Sequence, residues 1–200
     1  MGRKRFVWAA LGLLITVSSY WSTLSGTEGA SAQTESQIAI SAETVADYLH
    51  AVIEADRTFY TIHVVERMQA KGIVVASENW LSANTLPLPA QFLMESARLS
   101  SMTGTKIGYR LISAWPINEQ NRPKTKFERA GFGDVLAKPD QAYTGTVTDG
   151  QDRYFQAIYA DRAVSQACIG CHNAHPSSPK RNFKMHDVMG AMVITIPLGR

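Results

Sequence analysis

Apolar positions recur along the chain with two different periods, and the change of period divides it. From Ser41 to about Lys71 the spacing is helical: at about 100° per residue, Val45, Leu49, Val52, Ile53, Phe59, Tyr60 and Val64 fall on one face. His63 lies near the middle of that face, with His50 and Met68 on its edge. Ser41 is a good N-cap, Glu43 sits in the first turn where the helix dipole favours a carboxylate, and Gly72 is a natural stop. Such a helix would be roughly 40 to 45 Å long. Residues 76–88 read as a loop closed by Pro87 and Pro89, and Pro89 suits the first turn of a second helix through about Ser101. The period then falls to two. Lys106–Ser113 predicts a strand with Ile107, Tyr109 and Leu111 on one face and Ile112 on the other. Phe127–Leu136 predicts a short helix. Tyr143–Thr148 and Asp152–Ala160 flank Asp149-Gly150, a hairpin signal. Asn173–Lys184, rich in Pro, Ser, Lys and Arg, reads as a surface loop, and Met189–Pro197 as a closing strand. Long helix, loop, helix, then hairpin strands is an α+β order, with helices packed on an antiparallel sheet.

The first 32 residues do not share this pattern. Gly2-Arg3-Lys4-Arg5 is a basic start, and Phe6–Val17 is an apolar run short of the ~20 residues a membrane span needs. Ala30-Ser31-Ala32 is an A-x-A cleavage site, which makes residues 1–32 a signal peptide and Gln33 the first mature residue. Residues 33–40 are a polar lead-in to a single domain over 41–200. The alternative is an uncleaved anchor with Tyr20 and Trp21 at the interface, the one way this chain would be held at a membrane. The leader also carries much of the charge. The whole chain has 20 Lys and Arg against 17 Asp and Glu; without Arg3, Lys4, Arg5 and Glu28 the balance is 17 to 16. That gives no electrostatic case for nucleic acid.

Chemistry concentrates in Cys168-Ile169-Gly170-Cys171-His172. Two cysteines three apart followed at once by histidine is the c-type haem attachment signature. Two thiols at that spacing add across the vinyl groups on one edge of a porphyrin, and the next residue brings an imidazole to the iron as an axial ligand. These are the chain's two cysteines, so none is left for a disulfide. Two other chemistries use the same residue types. One is a structural zinc site from Cys168, Cys171 and two of His172, His175 and His186. The other is a dithiol redox pair, although no thioredoxin-like βαβ pattern surrounds the motif. Export agrees with haem c, which is attached outside the cytoplasm, in a periplasm or thylakoid lumen.

Several stretches together resemble a small family of single-haem c-type proteins with a PAS-like fold. Its members include free-standing cyanobacterial proteins and the extracytoplasmic sensor regions of some histidine kinases and chemoreceptors. The matching stretches are Tyr60-Thr61, Val64-Val65, Leu86–Ala90, Tyr109–Ser113, Pro116-Ile117-Asn118, Phe127-Glu128, Cys171-His172-Asn173, His175-Pro176, Asp187–Gly190 and Ile196-Pro197-Leu198. The resemblance implies an antiparallel sheet of about five strands, a long N-terminal helix, one or two shorter helices, and one covalent haem between helix and sheet. It implies redox or small-gas sensing, or electron transfer, rather than catalysis. Members of the family can use a cysteine as sixth iron ligand; here both cysteines belong to the attachment motif, so another group must serve or the site stays open.

The motif makes His172 the proximal ligand. A lone imidazole on an apolar face is costly to bury unpaired, and iron would pair it, so His63 is the favoured sixth ligand, with Met68, His50 or an open site as alternatives. His175, held extended before Pro176, could bond a haem propionate or face solvent. Lys180 and Arg181 could pair with propionates or form a solvated basic loop. Arg57 and Asp56 read as solvated mid-helix charges. Three functions compete: a redox or small-gas sensor, a soluble electron carrier acting on a redox partner protein, and a haem peroxidase. A carrier needs two strong axial ligands; a sensor or enzyme needs a weak or missing sixth one.

Overall fold

The computed structural model describes residues 39–199, so the expected leader, its cleavage site and most of the lead-in lie outside the described residues. Among the described residues no helix is long and apolar enough to cross a membrane.

The long helix forms where its apolar period and cap place it, in three parts. Helix α1 (Ala42–Phe59) starts at Ser41, whose hydroxyl accepts from the Thr44 amide at 3.0 Å. It continues as a π-helical segment, Tyr60–Glu66, and returns to α geometry in α2 (Arg67–Ala70) before Gly72 ends it at φ +65°. The following loop holds two short parallel strands, β1 (Ala76–Ser77) and β2 (Leu86–Pro87), around the one-turn helix α3 (Trp80–Ala83). Helix α4 (Pro89–Ser101) has proline at its first position, and the Gln91 side chain accepts from the Leu88 amide at 3.0 Å.

Strands β3 (Gly108–Ile112), β4 (Tyr143–Asp149), β5 (Asp152–Arg162) and β6 (Val188–Gly199) form one antiparallel sheet in the order β3-β6-β5-β4. This is a four-stranded main sheet where the family resemblance implied about five strands. Helix α5 (Lys126–Ala137) precedes β4, and α6 (Gln166–Ala174) is inserted between β5 and β6. The β4–β5 turn is Gly150-Gln151, one residue beyond the expected pair. Asp149 pairs with Asp152, and Gly150 takes φ +59° at the first central position.

Strand alternation sorts the core into two layers. Leu111, Ala157, Tyr159, Met192 and Ile194 face Ala46 of α1 and Leu93 of α4. Ile112, Ile158, Ala191 and Val193 face Phe132 and Val135 of α5. Helices therefore cover both faces of the sheet.

The buried side of α1 differs from the expected one. Ala46 and Arg57 lie on its most buried line, whereas Val52 and Phe59 are 61% and 62% exposed. The buried line is turned by about 60° from the centre of the expected face, so Leu49 and Ile53 on its near side pack on the core, while Val52 and Phe59 on its far side do not. The reason is chemical. Ala46 carries little hydrophobic weight and Arg57 carries none, so a search for large apolar residues misses the line they mark. Arg57 is not a solvated charge: its guanidinium lies 2.6 Å from Asp161 and 2.9 Å from Glu54. His63 consequently stands on the exposed side of the long helix, not in its core.

Candidate haem site

The sheet delivers the motif to a defined place. Strand β5 ends at Arg162, and two backbone bonds, Ala163 amide to Asp187 carbonyl and His186 amide to Ala163 carbonyl, both 3.0 Å, tie the start of the insertion to its end. Between them α6 presents Cys168, Cys171 and His172 within one helical stretch. This corrects the sequence reading at one point: the expected surface loop begins as helix, since Asn173 belongs to α6, and it contains the buried Ser178 and Phe183.

Both cysteines are free, Cys168 half-buried and Cys171 exposed. Cys168 and Ile169 pack on Ala163, Phe183 and Met189, which anchors the inner side of α6. Burial, Glu78 and Cys168 all push the Cys171 thiol up. A dithiol redox pair needs the opposite, a stabilised thiolate. The zinc alternative also lacks its geometry: among the described residues no three His, Cys, Asp or Glu side chains are grouped to hold a metal. His186 is exposed, and both nitrogens of His175 are engaged. Its Nδ1 accepts from the Ser177 amide at 3.1 Å, and its Nε2 lies 3.4 Å from Glu78.

His172 is half-buried, its Nδ1 shut away from solvent without a hydrogen-bond partner. Burial lowers its pKa, Asp161 opposing and His175 reinforcing, so the ring is held in the neutral form that binds metals. The Phe183 ring meets it edge-on at 5.9 Å. Phe183 is itself fixed by the Asn173 amide, which donates to the Phe183 carbonyl and accepts from its N–H, both at 2.9 Å. Trp115 packs on Phe183 from a distant loop, and Lys180 lies 4.2 Å above the Trp115 ring and 4.5 Å above that of Phe183. Arg181 donates to the Ser178 and Pro176 carbonyls, closing its own loop. Asn173, Phe183 and Trp115 were not singled out from sequence as site residues. Asn173 follows the motif directly, but the other two are distant aromatics with no local signal.

Helix α6 packs against the π-helical segment Tyr60–Glu66. His63 is on that segment, exposed, its ring 4.9 Å from that of the exposed Phe59. His50 lies on α1 instead, half-buried, stacked on Tyr159 at 3.9 Å with its Nε2 unpartnered. Burial lowers its pKa, with Asp47 and Asp161 opposing and Arg57 reinforcing. Met68 is half-buried on α2. The structure thus separates the sequence-predicted residues into two groups. Cys168, Cys171 and His172 share α6 beside the segment that carries His63; His175, Lys180 and Arg181 belong to the following loop.

The donor set fits a c-type haem: two free thiols one helical turn apart, the outer one exposed, and a neutral imidazole next in sequence with a buried nitrogen unbonded. No curated protein matches the chain. Among solved structures, it is similar to the crystal structure of the cyanobacterial heme-protein Tll0287. That likeness has a TM-score of 0.46 at 12% identity, over 80% of this chain and 98% of the other. The Tll0287-like family model matches residues 32–197, nearly the whole chain outside the expected leader, and the chain therefore belongs to the Tll0287-like family.

Proposed function

We propose that this chain is an exported protein carrying one haem c, attached through Cys168 and Cys171 with His172 on the iron, and that it acts as a redox or small-gas sensor. The observation that carries the reading is the motif on α6: free thiols at Cys168 and Cys171 beside a His172 that burial keeps neutral. The family agrees with haem, since Tll0287, after which it is called, is a heme-protein. Bound there, haem would supply one-electron chemistry and an axial position for a small ligand. The chain's own residues would do the rest. Cys168 anchors the inner edge, Phe183 and Asn173 fix the His172 ring, and Lys180 sits where it could neutralise a carboxylate. His175 and Arg181, already bonded within their loop, would shape that loop more than bind propionates. The PAS-like reading, an antiparallel sheet with helices framing a ligand, is part of the same proposal.

His63 is proposed as the sixth ligand. It lies on the helical segment that adjoins α6, and a π-helical turn is a local irregularity frequent at functional sites. The exposed Phe59 and His63 rings give an aromatic surface and an imidazole that a porphyrin could cover. The same histidine supports the second reading, a soluble electron carrier, since two imidazoles would hold the iron alike in both oxidation states. Catalysis ranks below both. A peroxidase wants a free distal acid–base group, and the buried Arg57 is closed between Asp161 and Glu54.

Acid–acetone extraction and intact mass test the attachment: the colour should stay with the protein and the mass should equal residues 33–200 plus one haem. A colourless or zinc-loaded chain would refute it, and an intact Met1 in the membrane fraction would favour the anchor. Optical spectra with CO separate the functions. A low-spin ferrous iron that binds CO slowly, and becomes high-spin and fast in His63→Ala, supports a closed site, as redox sensing or electron transfer would use, and counts against gas sensing. A wild type already high-spin and quick to bind CO supports gas sensing and removes His63 from the ligand set.

A further inference from the structure

Helix α5 covers only part of its face of the sheet. Phe132 and Val135 lie over Ile112, Ile158, Ala191 and Val193, and there the packing closes. Toward the start of β5 the same face continues through two cross-strand rows, Gly145–Gln156–Thr195 and Val147–Tyr154–Pro197. The start of α5 reaches them through Phe127. Its ring lies on the bare Gly145, where a Cβ would fall 2.7 Å from it, and tilts against Tyr143 at 4.9 Å. Beyond that ring stands a cleft of about 440 Å³, walled by Phe127, Val147, Tyr154 and Gln156. Sites for small organic molecules are commonly about 300–1,000 Å³, mostly apolar, with a few polar groups that fix orientation. Here the polar groups have a definite character. Hydroxyls and one amide line the cleft, and its one charged side chain is a carboxylate, Asp149. Gln156 Nε2 donates to Thr195 Oγ1 at 3.1 Å, which leaves the Gln156 carbonyl oxygen Oε1 shut from solvent without a partner. An acceptor left so is costly, and the last torsion of a glutamine is soft, so a donor entering the cleft draws that oxygen round to it. The helix start does not make this an anion site. The Glu128 carboxylate already takes the Lys124 and Thr125 amides, and Thr125 Oγ1 takes that of Glu128.

We propose that this cleft is a second binding site, for a small organic amine. The ammonium group meets the Gln156 carbonyl oxygen and the Asp149 carboxylate, and the apolar body lies against the Phe127 and Tyr154 rings. An ammonium supplies the donors that both oxygens accept, and aromatic faces attract a cation further. The site stands apart from the haem reading: it lies at the start of β5, and the attachment motif follows that strand's other end.

The test is calorimetric titration of the full chain as isolated with benzylamine, benzyl alcohol and benzoate at neutral pH, with the optical spectrum followed in the same solutions. Benzylamine should bind saturably and leave the Soret band in place. Benzyl alcohol, which lacks the charge, should bind about tenfold more weakly, and benzoate should give no saturable heat. Gln156→Leu and Asp149→Asn should each weaken benzylamine about tenfold, and Asp149→Asn should also narrow the gap between amine and alcohol. Asp149 is exposed on the β4–β5 turn, so its variant keeps the test decisive even if Gln156→Leu does not fold. Three results would each overturn the proposal: no saturable heat with benzylamine, equal binding of all three compounds, or an affinity for benzylamine that Asp149→Asn leaves unchanged. Binding that shifts the Soret band would do the same, since it would put the amine on the iron and not in the cleft.

Discussion

Arg57 shows how a single side chain decides which way a helix faces. Taking a guanidinium out of water is expensive, and burial works against its charge, but Asp161 and Glu54 more than offset this and hold it charged. Removing one partner leaves the others stranded. Arg57→Leu should therefore destabilise the fold by about 3–5 kcal/mol, read as a lower urea midpoint. Its neighbour His50 makes stability depend on pH. Burial lowers the His50 pKa from 6.5, with Asp47 and Asp161 opposing, so the folded chain binds fewer protons there than the unfolded one. Stability is whole above 6.5, falls as pH drops below it, and levels off below the folded value. His172 moves in the same direction. His50→Phe, which keeps a ring against Tyr159, should flatten part of the loss between about pH 7.5 and about pH 5. Urea titrations at the two pH values would show it, and an unchanged slope would count against the buried neutral imidazole.

Elements hold their places through caps and close approaches. The start of α5 carries a capping box. Thr125 accepts from the Glu128 amide at 3.0 Å, and Glu128 reaches back to the Thr125 amide at 3.3 Å while meeting Arg110 of β3 at 2.6 Å. One cap thus ties α5 to an edge strand, so its loss should be felt in more than the helix. Thr125→Ala should cost about 1 kcal/mol by thermal or chemical unfolding, with little change at α6. Gly131 and Gly145 matter for packing. A Cβ at the first would fall 2.4 Å from the Ile158 side chain, and one at the second 2.7 Å from the Phe127 ring, so α5 lies close on the sheet because those positions are bare.

For the whole molecule, the layers share their work unevenly. Helix α5 closes one face of the sheet and α1 with α4 the other, while α6 is held at the end of β5 by the Ala163, Phe183 and Met189 cluster. Anything bound covalently on α6 would join that cluster to the π-helical segment it packs against. A covalent group stays on the chain when it unfolds, so it raises stability only through the contacts and any iron ligation it makes in the native state alone. The double variant Cys168→Ser with Cys171→Ser should accordingly melt several degrees below the haem-loaded wild type in a calorimetric scan. Equal melting temperatures in chains shown to differ in haem content would mean the group lies outside the cooperative fold.

What the sequence determined by itself is local. The Ser41 cap, Pro89 at the first turn of α4, the stop at Gly72, the alternation of Ile107 to Ile112 and the attachment motif are each written in a few neighbouring residues, and the cap, the proline, the stop, the strand and the motif all stand at those positions in the fold. The α+β order follows from their succession. The tertiary structure decided what depends on partners far along the chain. Arg57 is buried because Asp161 arrives from β5, and Phe183 stands beside His172 because Asn173 binds its backbone and Trp115 backs its ring. The π-helical turn has no signature in hydrophobic period, since one widened turn leaves the residues around it unchanged in type and only shifts where they point. His63 was therefore legible as a histidine on the long helix, but its exposure and its place beside α6 came only with the packed fold.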